Sequence, residues 1–201
     1  MRRLSVVLGI NASLLITLLV IGLVAQSLGV IAMGVDCLGD AGGAGLAWFA
    51  IWLTQRPVDS RVKNHPRATL VAALINAGWV LLLSLITIGV SIHRLIVGSP
   101  KVIAVPVIVA GVIAALAMGV AALVMHGGSD YHDFNTRVIF VDSVADSAAA
   151  LGVVAAGVII LVANGLYWVD SAIAMVIALA LIGQVVRMGR QAYQRKSWSL
   201  G

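Results

Sequence analysis

Residues 138–149 read VIFVDSVADSAA, in which Asp142 and Asp146 stand four positions apart among apolar and small side chains. Residues at i and i+4 lie on one face of a helix, so this spacing puts two carboxylates on one patch. A second run, residues 28–53, reads LGVIAMGVDCLGDAGGAGLAWFAIWL and holds Asp36 and Asp40 at the same spacing. Two diacid faces on two apolar helices point to a cation site, because carboxylates at membrane depth must be neutralised by something.

Working outward, the chain has 201 residues, of which 61% are hydrophobic and only 10% charged. Soluble domains carry about 25% charge, and a bilayer is crossed by roughly 20 apolar residues, so the composition predicts an all-α integral membrane protein. The acids are all Asp, and the net charge of +5 comes from Lys and Arg gathered outside the apolar runs. Basic residues at membrane ends account for that excess without a nucleic-acid partner. The single cysteine, Cys37, excludes a disulfide framework and a zinc ribbon. It lies between the acids of the first pair, but a helix turns it about 100° from Asp36, so it reads as a small packing residue.

The expected spans are 5–25, 28–54, 69–92, 102–125, a fifth ending near Ala163, and 171–186. Arg2 and Arg3 ahead of the first run also fit a secretory signal, but that run is too long for one and lacks a small-residue cleavage site. Polar breaks are expected at 26–29, 93–101 (with Gly98 and Pro100) and 164–170 (with Tyr167 and Trp168 at the interface). Longer polar loops are expected around Arg56 to Arg67 and Gly127 to Arg137. The result is a six-transmembrane-helix bundle with one domain over 1–190 and a short basic cytoplasmic tail over 191–201. Of the 13 Lys and Arg, 11 fall on the side holding both termini and only Arg94 and Lys101 on the other. Both termini are therefore expected in the cytoplasm of a multi-pass cell-membrane protein, the inner membrane if bacterial.

Each Asp near a helix centre costs about 2.5–3.5 kcal/mol on the insertion scale, so four cost on the order of 10 kcal/mol. No Lys or Arg lies inside the six spans to offset this. A proton, a bound cation, or both must do so. At 1.5 Å per residue Asp36 and Asp40 lie about 12 and 18 Å from one boundary, Asp142 and Asp146 about 9 and 15 Å from the other. In a core of about 30 Å these depths overlap, so antiparallel packing of the second and fifth spans gathers all four carboxylates. Burial and like-charged neighbours favour the protonated carboxyl, which lets protons compete with metal. That is the chemistry of a proton-coupled antiporter.

In these residues the chain resembles the cation diffusion facilitator family of six-helix metal exporters. The resemblance rests on Asp36-Cys-Leu-Gly-Asp40 and Asp142-Ser-Val-Ala-Asp146, with Arg56-Pro57-Val58-Asp59, His65-Pro66, Leu74-Ile75-Asn76-Ala77, Asn135-Thr136-Arg137 and Tyr167-Trp168-Val169-Asp170-Ser171 in order. It covers residues 2–190 and implies cation efflux by alternating access against inward protons, as a homodimer in the lipid bilayer. The metal ion is then transported substrate and the proton its counter-ion, with no cofactor. After His65-Pro66 the sequence lacks the family's insertion, and Thr69 stands where an acid is common, so Asp59 and His65 read as loop residues rather than an accessory metal site. The loop with His126, Asp130, His132 and Asp133 lacks a long His-rich segment. The chain is expected to be a short form lacking the cytoplasmic C-terminal domain.

An all-oxygen donor set suits manganese or ferrous iron, yet zinc accepts carboxylates as well, leaving zinc and manganese level ahead of cadmium, cobalt and iron. Two other classes compete. A non-transporting membrane assembly protein would use protonated Asp as hydrogen-bonding glue. An exporter of organic cations would need an aromatic cavity, whereas the Trp residues fall mainly near span ends. No nucleotide-binding glycine motif or catalytic triad is present, so the chain does not read as an enzyme. Gly39, Gly42, Gly43 and Gly45 beside the first Asp pair leave room for backbone rearrangement or for a closely packed neighbour.

Overall fold

The computed structural model describes the backbone of residues 2–54, 65–126 and 134–198, and side chains over a narrower set within them. Six α-helices follow in order: α1 Arg2–Ala25, α2 Leu28–Thr54, α3 His65–Val97, α4 Ala104–His126, α5 Phe134–Ala163 and α6 Trp168–Trp198. Among the described residues there is no strand, as expected where lipid forces every backbone group to find its partner within the helix. Leu74–Val97, Val144–Ala163 and Trp168–Arg187 are long and apolar enough to cross a membrane. Ile16, Leu23, Ile96 and Val162 are each more than 60% exposed, the outward face such a bundle turns to acyl chains.

Several boundaries differ from the sequence expectation: α3 and α5 start at His65 and Phe134, inside the loops expected to run to Arg67 and Arg137. The break expected at 93–101 begins only at Gly98, since α3 runs on to Val97. Nothing in His93-Arg94-Leu95-Ile96-Val97 breaks a helix. Gly98 does, with φ of 116° and its amide donating to the Arg94 carbonyl at 3.0 Å. The turn expected over 164–170 is shorter, because α6 already starts at Trp168. Positive φ at Asn164 and Gly165 completes the reversal within a few residues, which brings Asp170 into the first turn of α6. At its other end α6 continues beyond the apolar window to Trp198. Pro106 lies in the first turn of α4, where a missing donor does least harm.

The tightest neighbours are α4 with α5, α1 with α2 and α3 with α6. Between bilayer helices apolar burial alone does not drive association, so close approach at small residues carries the packing. At the α4–α5 contact a Cβ on Gly157 would stand 2.7 Å from Ile108 Cγ1, and one on Gly111 2.7 Å from Val154 Cγ2. Ala110, Ala114 and Ala150 fill the same seam, fully buried. Valine at 157 therefore forces α4 and α5 apart. We expect Gly157→Val to lose about 2–3 kcal/mol, read as an earlier thermal transition in detergent.

Candidate metal centre

The first acid pair lies on α2 and the second on α5, and the two helices touch. Asp36 and Asp146 are buried, while Asp40 is half-buried. Asp36, Asp40 and Asp146 all act electrostatically on the Cys37 thiol, which is itself fully buried, so the α5 acid shares the neighbourhood of the α2 pair. Each of these three acids already has an interaction partner. Asp142 sits one turn back along α5 from Asp146, and its side chain lies outside the described set. Among the described residues no three His, Cys or Asp side chains close to metal-holding geometry. Cys37 packs inward, in keeping with its reading as a core residue.

The placement of α2 depends on polar contacts at both ends of its first half. Ser27 is the N-cap: its hydroxyl accepts from the Val30 amide at 3.2 Å. The next amides, Leu28 and Gly29, donate to the two carboxylate oxygens of Asp170 at 2.7 and 3.2 Å, and the Ser27 hydroxyl donates to Asp170 at 2.5 Å. A carboxylate brought in from α6 thus fills the positive end of α2. Asp170 is 1% exposed. Arg94, at the end of α3, lies within electrostatic reach of Asp170 and donates from Nη1 to the Gln26 carbonyl at 2.8 Å.

About eleven residues further on, Asn76 Nδ2 donates to the Gly39 carbonyl at 3.1 Å, one position before Asp40. A Cβ on Gly42 would collide with the Asn76 amide, and one on Gly39 would stand 3.2 Å from Val80. Glycine here serves the close approach of α3. On α5, Ser147 donates to the Ala115 carbonyl at 3.0 Å, tying the residue after Asp146 to α4. Sequence reading singled out neither Asn76 nor Asp170 as a positioning group, although both fall in the stretches that carry the family resemblance. Asp59, Asp130, His132 and Asp133 lie outside the described residues, and the side chains of His65 and His126 do too.

Residues 4–195 match the family model described as the cation efflux transmembrane domain. Zinc transporter ZitB of Yersinia pestis is 23% identical over 194 residues, covering 96% of this chain and 61% of the relative. ZitB of Pectobacterium atrosepticum is 29% identical over 164 residues, or 81% of this chain and 51% of the relative. The metal cation efflux system protein CzcD of Cupriavidus metallidurans is 28% identical over 185 residues, or 89% and 56%. The chain therefore spans between about half and three-fifths of these relatives.

Proposed function

Because the chain belongs to the cation efflux transmembrane-domain family, a family of transporters rather than enzymes, we propose that it exports divalent transition-metal cations from the cytoplasm in exchange for protons. Asp36, Asp40, Asp142 and Asp146 supply the ligands in this reading, and residues 1–190 form the transport domain. Both termini are cytoplasmic, and two copies pair in the membrane. Zinc comes first in this reading, ahead of manganese, cadmium, cobalt and iron, with the relatives named for zinc as its support.

The observation that carries the proposal is that α2 and α5 touch and that each brings a buried acid, Asp36 and Asp146, into the neighbourhood of the buried Cys37. The spans expected from the sequence carry no Lys or Arg. Carboxylates so placed hold either protons or a cation, and exchanging one for the other is antiport. The assembly-protein reading asks only for hydrogen bonds, which an amide also makes.

Asp→Asn substitution separates the two. Purified wild type and Asp142→Asn are reconstituted side by side in proteoliposomes with an imposed pH gradient, and zinc and manganese uptake are followed separately. We expect wild-type uptake to depend on the gradient and the variant to lose it. Equal activity of the variant, or no transport by correctly inserted wild type, would sink the proposal.

A further inference from the structure

The polar side chains of α3 between Leu74 and Val97 fall almost entirely on one stripe. Counting 100° per residue, Asn76, Ser84, Thr87, Ser91 and Arg94 all lie within about 40° of the direction of Val80. Of the other polar side chains between Leu74 and Val97, His93 points away and is exposed, and so does Trp79. The stripe is buried: Ser84, Thr87 and Ser91 are 1%, 6% and 0% exposed, while the flanking Leu85 and Ile86 are more than half exposed. Among the described residues α3 packs only against α2 and α6, so the three hydroxyls lie in the seam between them.

Two of these hydroxyls are unanswered. Thr87 Oγ1 donates to the Leu83 carbonyl at 2.9 Å, but Ser84 Oγ and Ser91 Oγ have no hydrogen-bond partner among the described residues. A buried hydroxyl without a partner is costly, and the usual remedy is bound water. The spacing suits it, because side chains three and four apart on a helix stand about 5–6 Å from each other at Cβ, the gap one water bridges.

The seam leads somewhere. At one end stand Arg94, half-buried, and the Ser99–Ser171 hydroxyl pair at 3.3 Å, beside the turn that starts α2. At the other end the antiparallel pairing sets the level. Gly39 of α2 stands against Val80 of α3; three residues back along α2 is Asp36, and four residues on along α3 is Ser84. Both steps run toward the same end of the bundle, by about 4.5 and 6 Å. Ser84 therefore lies at the depth of Asp36.

We infer that Ser84, Thr87 and Ser91 line a file of bound water running from the Arg94 end of the bundle to the level of Asp36, and that this file is the proton path of the exchange. The second half of that statement rests on the antiport reading above. Each hydroxyl or water in the file accepts one proton and passes on another, so a proton can move between the Arg94 end and the level of the α2–α5 contact with no charged side chain along the file. Ser84 and Ser91 thus act by positioning water, not by binding metal.

X-ray radiolytic footprinting, in which bound water makes hydroxyl radicals in place, tests the water without requiring transport. Val80 and Leu83 should be oxidised several-fold more than Val30 and Leu18 of the dry core, and oxidation no greater than theirs overturns the inference. A pH-sensitive dye inside proteoliposomes then tests the path. The triple variant Ser84→Ala, Thr87→Val, Ser91→Ala should bind zinc at equilibrium as wild type does but slow zinc-driven proton movement at least fivefold, and threonine at 84 and 91 should keep the wild-type rate. A triple variant that moves protons at the wild-type rate overturns the route. A rise in its melting temperature also counts against the inference, since removing hydroxyls from a dry seam relieves their burial. A wild type that is oxidised in the seam yet moves no protons with zinc overturns the antiport reading and the route with it, while the water stands.

Discussion

We expect zinc uptake to fall on the order of a hundredfold when Asp146 is replaced by asparagine, with the protein still folded. The substitution keeps the shape of a buried side chain, removes its charge and replaces one acceptor oxygen with a donor NH2 group. Two unit charges at 4 Å attract by about 4 kcal/mol at an effective dielectric of 20, and a dication doubles that before desolvation is subtracted. A net loss of about 3 kcal/mol is a conservative remainder, equal to roughly a hundredfold in affinity. Asparagine removes an intramembrane charge, so stability in the metal-free state should hold or rise. Asp36→Asn should behave alike, since Asp36 and Asp146 act on the same thiol. Zinc binding by calorimetry beside thermal melting without metal checks both halves; unchanged binding with lowered stability would mean that Asp146 is structural.

Alanine at 170 should damage the fold instead. Asp170 answers three donors at once: the Leu28 and Gly29 amides and the Ser27 hydroxyl. Its removal leaves buried donors at the start of α2 and a nearby arginine without its counter-charge. Each unsatisfied buried group costs about 1–3 kcal/mol, so a total near 3 kcal/mol or more is expected. On the scale of soluble domains of this size that lowers the melting temperature by about 6–12 °C. Asparagine is a partial remedy at best, because its amide nitrogen can face these donors only as another donor. A melting temperature within a degree or two of wild type for Asp170→Ala would show that water caps α2 equally well.

Much of this architecture was legible in the sequence, and the misses share one cause. Apolar run length located all six helices, and the i,i+4 spacing of Asp36 with Asp40 and of Asp142 with Asp146 placed each pair on a face. Depth counting along α2 and α5 put all four acids at overlapping levels, and the two helices do touch. What periodicity cannot carry is the identity of a partner across the bundle. Asp170 reads locally as part of an interfacial turn, because its acceptor role depends on amides 141 and 142 positions earlier. Asn76 is one amide in an apolar helix until the Gly39 carbonyl, 37 positions away, is placed beside it. The end of α3 was misplaced for a local reason: polar His93 and Arg94 mark a boundary of hydropathy, whereas the helix stops at the backbone of Gly98.

The cap supplied to α2 by α6 also imposes an order of events during synthesis. Leu28 leaves the ribosome 142 residues ahead of the carboxylate that receives its amide. At about 5–20 residues per second, α2 waits roughly 7–30 s in the bilayer with its first turn held by Ser27 alone. The helix bearing Asp36 and Asp40 therefore reaches its final seat only after the last helix has been inserted. Nascent chains stalled before α6 should leave a cysteine at position 28 open to thiol reagents, and chains stalled beyond it should close that position.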